Sequence, residues 1–341
     1  MDLLPSPEQT EIIDSSAAFL RDRLPLLRTR ELFDAPGGVD EVAWAEAAEL
    51  GWFGLGLPED QGGVGGGLAD EALLFREIGR SLATGPFLST VLAARVAAFG
   101  GNAELAASIV GGQRVGLAMP IELAIVTADG LVDGALQLLD TDGDLVLVAT
   151  PEAAMLIEVA ALSEVESVPC YDPAVRLHRA TARGVRPLMT VAAATDAVER
   201  RGHVLAAAML TGITEAVRDL ASEHAKNRIQ FDRPIGVHQA VKHPCANMAV
   251  QAQIALAQTL FAALTVDEDR EDAELHALSA HLVSARAAYK SAVATVQVLG
   301  GIGFSFEHDA HLYVKRSRVL SLLFGGTDHQ LDRLLALPKS L

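Results

Sequence analysis

Glu307, His308, Asp309 and His311 make a short run of metal-capable side chains, with two imidazoles three residues apart and carboxylates beside them. No third ligand stands at a metal-site spacing, so the run reads as hydrogen-bonded structure and no metal is expected. The two cysteines, Cys170 and Cys245, are far apart and form no CxxC pair. That excludes a disulfide framework and a cysteine-rich metal site, and leaves two small packed residues. Tyr289 falls on an apolar helical stripe and is expected in the core. The acidic stretch from Asp267 to Glu274 reads as an exposed loop between helices.

These residues must be carried by a folded, acidic chain. With 27 Lys+Arg against 44 Asp+Glu the net charge is −17, which repels a polyanion such as nucleic acid over most of the surface. Half of the 341 residues are hydrophobic, enough for two or three packed units. No stretch approaches the roughly 20 uninterrupted apolar residues of a bilayer-spanning helix, and MDLLPSPEQTEIID lacks a basic n-region. No membrane partner is expected, and the expected location is the cytoplasm.

Three regions follow, with expected domains at 1–114, 115–190 and 191–341. The first reads as helices, with apolar stripes through Ile12, Phe19 and Leu20, through Val42, Trp44 and Ala48, and through Leu73, Leu74 and Ile78. Leu57 to Gly67 holds five glycines and a proline, so it is a loop between helices. The second region has short β-branched runs, such as 145–148 and 155–157, and reads as a small β-region. The third is helical. Leu275, Leu278, Leu282, Ala285, Tyr289, Val293 and Val296 predict one buried stripe on a long helix. Helices over 204–226 and 246–264 complete an antiparallel bundle.

Motifs narrow the fold. Arg228, Phe231, Ile235 and Gln239 within Asn227–Gln239 resemble the R-x-x-F-G-x-x-I-x-x-x-Q segment of the acyl-CoA dehydrogenases, with Asp232 where that family usually has glycine. Gln297, Gly300, Gly301 and Gly303 resemble its Q-x-x-G-G-x-G segment. Leu50-Gly51-Trp52, Pro58-Glu59 with Gly62-Gly63, and Glu77-Ile78-Gly79-Arg80 are similar to its other stretches, as is 307–316 to a stretch of actinobacterial members. The resemblance covers nearly the whole chain. It implies a mainly α fold with a small central β-region: an N-terminal helical domain, a reduced β-domain and a C-terminal four-helix bundle.

In that family the flavin is shared across a dimer interface. The resemblance implies that Arg228, Gln230, Phe231, Gln239, Gln297, Gly300 and Gly301 cover the adenine and pyrophosphate end of an FAD whose ring sits in the neighbouring subunit. The residue types suit the task, since a guanidinium pairs with pyrophosphate oxygens, an aromatic ring packs on adenine, and paired glycines let an anion approach the backbone.

A positioned carboxylate must remove the α-proton in this chemistry. Where most members carry the Glu of Y-E-G-T, this chain reads Phe324-Gly325-Gly326-Thr327, and where others place it, at the start of the first bundle helix, Arg201 stands. Glu199 is two residues away on another helical face, and is expected to be solvated or a first-turn carboxylate. Where the family carries T-E-P-x-x-G-S-D, the stretch Ala118 to Ile125 keeps only Pro120. Thr327 reads as a relic or a contact at the bundle end.

The resulting expectation is a non-catalytic subunit of a heteromeric acyl-CoA dehydrogenase. A catalytic partner would supply base, flavin-ring site and acyl-CoA pocket in a dimer of heterodimers, acting on steroid-derived CoA thioesters. The alternatives are a homo-oligomeric enzyme using Glu199 or Glu307, and a flavin-free scaffold of the same fold.

Overall fold

The computed structural model describes residues 3–33, 38–121, 126–127 and 129–338. Helices α1 (Pro7–Arg23), α2 (Leu26–Glu31), α3 (Glu41–Glu49), α4 (Leu68–Ser81), α5 (Phe87–Phe99) and α6 (Ala103–Val110) come first. Seven strands follow: β1 (Val115–Pro120), β2 (Val132–Leu139), β3 (Leu145–Ala149), β4 (Ala153–Glu158), β5 (Ser163–Val168), β6 (Leu177–Val185) and β7 (Met189–Ala192). Helix α7 (Val198–Asn227), hairpin strands β8 (Ile229–Gln230) and β9 (Arg233–Pro234), and helices α8 (Gln239–Asp267), α9 (Ala273–Leu299), α10 (Gly301–Phe304), α11 (Ala310–Leu320) and α12 (Gly326–Ala336) complete the chain. The expected plan of helices, a central sheet and a helical bundle is the plan observed, and α7 and α8 begin six and seven residues before the starts expected at 204 and 246.

By contacts the chain divides into two compact units. One draws on Met1–Leu26, Ala72–Ala83 and His203–Leu341, the other on Leu27–Glu71 and Thr84–Gly202. The second unit holds the seven-stranded sheet, ordered β5-β6-β2-β1-β3-β4-β7, in which β1 and β3 run parallel and the other pairs antiparallel. Strands β3 and β4 align Leu147 with Leu156 and feed Val146, Val148, Met155 and Ile157 into one buried cluster with Val132, Leu136 and Leu138 of β2. The 57–67 segment is an ordered loop: Val64, Gly65 and Gly66 donate to the carbonyls of Gly54, Leu57 and Leu55 at 2.8–2.9 Å. A Cβ on Gly63 would lie 2.2 Å from the Leu57 oxygen, so the turn requires glycine there.

The first unit is built on α7, α8, α9 and α11, with α1 and the end of α4 against them. Helix α1 starts in a capping box, Ser6 accepting from the Gln9 amide and Gln9 returning the bond. Helices α4 and α7 cross at backbone contact. A Cβ on Gly79 would fall 2.1 Å from the Met209 oxygen, and one on Gly212 would fall 1.9 Å from the Arg76 oxygen. Around the crossing Arg76 pairs with Glu215 at 2.8 Å, and Arg80 pairs with Asp219 and Glu215. Burial pushes the Glu77 carboxyl up despite Arg76 and Arg80 beside it. Burial likewise pushes the phenol of Tyr313, which donates to the Arg80 carbonyl, up to about 12.

One expectation fails on α9. Its buried face is small: Ala277, Ala280, Ser284, Ala287, Ala288, Ser291, Ala292 and Thr295, which lets neighbouring helices come close. Tyr289 and Val293, read as core, are 41% and 45% exposed. Val42 of α3, also placed on an apolar stripe, is exposed too. By length and composition α8 could cross a membrane, contrary to the sequence reading, yet 44% of its apolar window is already buried among neighbouring side chains.

Candidate functional site

The connection from α7 to α8 is a two-residue hairpin, Ile229 opposite Pro234 and Gln230 opposite Arg233. Its central residues, Phe231 at φ 53° and Asp232 at φ 62°, are both left-handed, as the twist of such a hairpin demands. Aspartate tolerates that conformation better than most side chains, so Asp232 fills the usual glycine position without rerouting the chain. Phe231 sits at the tip and is 86% exposed.

A small core fixes this hairpin to the bundle. Ala221 and Ala225 of α7 and Met248 of α8 meet Val298 of α9, with Ile235, Val241, Cys245 and Ala294 around them. The two motif segments, around Arg228–Gln239 and Gln297–Gly301, are therefore brought to one end of the bundle. Arg228, Gln230, Phe231, Gln239, Gln297, Gly300 and Gly301 are all exposed there. Gly300, which ends α9 at φ 66°, and Gly301 would each carry a Cβ into open space. His224 is held below the ordinary histidine range by burial and by the charges of Arg228 and His308. The end is thus open and presents the Arg228 guanidinium, an aromatic ring and amides. Those groups fit the adenine and pyrophosphate end of FAD as a surface that covers it, and they do not enclose a pocket.

Neither of the two positions at which the resemblance places a base, Gly325 and Arg201, carries a carboxylate. Phe324 (φ 55°), Gly325 (φ 98°) and Gly326 (φ 72°) run left-handed between α11 and α12. The Phe324 ring lies 5.2 Å from that of His203, below which a buried polar chain is tied together. His281 Nε2 donates to the Leu320 carbonyl at 3.0 Å, and its Nδ1 lies 3.0 Å from Gln330 Nε2, which donates to it, and 2.9 Å from His203 Nδ1. Gln330 also donates to the Leu323 carbonyl. These bonds anchor the backbone on both sides of Gly325.

Arg201 belongs to a network that sequence spacing did not reveal. The buried Arg95 grips Asp196 through Nε at 2.8 Å and Nη2 at 3.1 Å, and its Nη1 donates to the Gly56 carbonyl at 2.6 Å. Arg201 Nε is 3.3 Å from the same Asp196, and its Nη1 is 3.9 Å from Glu71. Arg201, which the resemblance sets at the alternative base position, is thus a cation held beside two buried carboxylates. Glu199 is in the first turn of α7 as expected, but it is buried at 6% exposure, not solvated, because α7 begins in the interior.

The remaining candidates have ordinary roles. His308 Nδ1 accepts from the Ala310 amide, and His311 bonds the Phe306 carbonyl and stacks on its ring at 4.9 Å. No group of three metal-capable side chains comes together among the described residues. Cys170 and Cys245 form no disulfide among the described residues and are half-buried, and burial raises the Cys245 thiol. Thr327 is exposed in the first turn of α12. Of the stretch expected near a flavin ring, residues 122–125 lie outside the described residues, and the rest forms the end of β1.

Comparison with known proteins adds the following. The family model described as "Acyl-CoA dehydrogenase, N-terminal domain" matches residues 6–110, and "Acyl-CoA dehydrogenase, C-terminal domain" matches 189–336. "Acyl-CoA dehydrogenase IpdE2" of Mycobacterium tuberculosis is 30% identical over 97% of this chain and 98% of its own length. "Acyl-CoA dehydrogenase FadE34" of the same organism is 33% identical over 87% of this chain, which spans only 42% of that relative. Among solved structures, the ChsE4-ChsE5 complex of Mycobacterium tuberculosis superposes with TM-score 0.86 at 22% identity, covering 99% of this chain and 100% of that one. A variant of the Tcur3481-Tcur3483 steroid ACAD gives 0.85 at 24%, covering 96% of each.

Proposed function

The chain belongs to the acyl-CoA dehydrogenase family, and from that premise we propose that it is the non-catalytic subunit of a heteromeric, FAD-dependent enzyme. The observation that carries this reading is the contrast between its two ends of the site. Gly325 and Arg201 leave neither base position a carboxylate, while the nucleotide-covering residues stand together and exposed.

In this reading FAD, when bound, would supply the hydride-accepting chemistry, and the partner subunit would supply the carboxylate that takes the α-proton. This chain's residues bind and orient. The Arg228 guanidinium pairs with pyrophosphate oxygens, Phe231 packs on the adenine, Gln230, Gln239 and Gln297 supply amide contacts, and Gly300-Gly301 lets the phosphates approach the backbone. Two structural neighbours are named as pairs of unlike chains, and one carries the word steroid. Those names support an assembly of unlike chains; to this the reading adds a dimer of heterodimers with two flavins, a cytoplasmic location, and a bulky, steroid-derived acyl-CoA bound mainly by the partner.

The test is flavin absorbance and native mass of the chain alone and after co-expression with the acyl-CoA dehydrogenase chain encoded beside it. One flavin per pair of unlike chains is expected, with no flavin on the chain alone. A yellow chain that bleaches alone with an acyl-CoA would overturn the proposal. The burial of Glu199 favours one second reading, a homo-oligomer using that carboxylate as base. Glu199→Gln would then abolish turnover, whereas the heteromeric reading expects turnover of the complex to persist.

A further inference from the structure

Charge is distributed unevenly over this acidic chain. The 44 Asp+Glu leave a long gap: none occurs in 239–266 of α8 or in 275–299 of α9, the paired central helices of the first unit. Those helices do carry Lys242, Arg286 and Lys290. Arg286 and Lys290, one turn apart on α9, are exposed, and neither has an ion-pair partner among the described residues.

A groove of about 720 Å³ runs between the two helices, lined by Asn247, Val250 and Gln251 of α8 and by Val283, Arg286 and Lys290 of α9. Ser291 closes its wall; its side chain is buried and its hydroxyl makes no hydrogen bond among the described residues. Flanking the groove, Val250 and Ile254 on α8 and Tyr289 and Val293 on α9 are 56%, 48%, 41% and 45% exposed. The Arg318 guanidinium lies 5.3 Å from the Tyr289 ring centre and adds a third cation to the face. Since the opposite face of α9 is already packed through its alanines and serines, its larger apolar residues form a second face, shaped for another surface.

The charge pattern decides what that surface is. If two copies of this chain paired symmetrically through the groove, each residue would meet the same patch. Arg286 and Lys290 would then meet 239–266 and 275–299 of the second copy, stretches that hold cations and no carboxylate to offset them. We propose that the groove docks an α-helix of an unlike subunit, one presenting Asp or Glu side chains a turn apart with apolar neighbours, and that Arg286 and Lys290 select it against a second copy of this chain. The proposal deepens the heteromeric reading and rests on it for the identity of the partner. The docking helix seats its apolar residues on Val250, Ile254 and Val293, while its carboxylates meet the two cations.

The test co-expresses the chain with the acyl-CoA dehydrogenase chain encoded beside it and reads native mass, flavin content and affinity. The Arg286→Glu/Lys290→Glu double variant is expected to stay folded, since both positions are exposed, and to bind the partner at least 100-fold more weakly. It is also expected to pair with wild-type copies of this chain, because opposite charges now meet across the groove. Arg286→Lys should restore most of the affinity seen with wild type. The Arg228→Ala variant separates this idea from the shared-flavin reading: it should keep the assembly and lose flavin. Unchanged partner affinity in the charge-reversed variant would overturn the proposal, as would homodimers of the Val293→Cys chain, with Arg286 and Lys290 kept, cross-linked through that cysteine. Loss of flavin affinity at Arg228 with assembly intact leaves the docking groove standing.

Discussion

The imidazole of His329 stands where a side chain at Gly325 would begin: a Cβ built on Gly325 would lie 2.4 Å from its Cδ2. The glycine is therefore required by its own helix cap, at φ 98°, as well as being silent chemically. Gly325→Glu should yield no dehydrogenase activity and should lower stability by about 1–3 kcal/mol, from left-handed strain and overpacking. Thermal unfolding of the variant and anaerobic bleaching of its complex by acyl-CoA check both parts. Adding His329→Ala should recover part of the stability and none of the activity.

Asp196 neutralises two arginines at once. Removing it in Asp196→Ala leaves the buried Arg95 facing only the Gly56 carbonyl and releases Arg201. A loss of about 3–5 kcal/mol is expected, as for other buried pairs broken from one side. Denaturant unfolding measures it, with Glu41→Ala, whose exposed partnership with Arg114 should be worth under about 1 kcal/mol, as the control.

The α4–α7 crossing has no space for a methyl group. Gly212→Ala places carbon 1.9 Å from the Arg76 oxygen, so the helices must separate, at a cost of about 3 kcal/mol or more. Gly301→Ala, whose added carbon meets nothing, should leave the melting temperature nearly unchanged and weaken flavin retention in the complex.

Asp40 caps α3, accepting from the amides of Val42 and Ala43, and pairs with Arg28 at 2.7 Å. Burial alone would raise its pKa, but the Ala43 amide and Arg28 outweigh it and hold the carboxyl below its ordinary 3.8. A depressed folded value means stability that is full above 3.8 and lost as the pH falls through the folded pKa. Asp40→Ala should cost about 1 kcal/mol at neutral pH, and the gap to wild type should close in acid, as pH-dependent unfolding would show.

Legibility in the sequence followed the range of the interaction. The β3–β4 hairpin was readable because 145–148 and 155–157 are adjacent apolar runs with a turn between. The connection between α7 and α8 was readable because its motif lies within Asn227–Gln239. The α9 stripe misled because period alone does not say which of two apolar faces is inward. Packing gave the interior to alanine and serine and sent Tyr289 out. Arg95 and Asp196 are 101 residues apart, and His203 and His281 are 78 apart, so no local spacing could announce either network. Glu199 was misjudged for the same reason: its burial depends on what surrounds the start of α7.

The backbone crossing of α4 and α7 also sets an order of events during synthesis. Arg76 and Glu215 are 139 residues apart, so the end of α4 leaves the ribosome long before the helix that must receive it. At roughly 5–20 residues per second that interval is on the order of 10 s, during which the apolar face of α4 has no seat. The glycines that let the two helices touch thus make the first unit a late folder, dependent on its last-made helices and exposed to chaperones until they arrive.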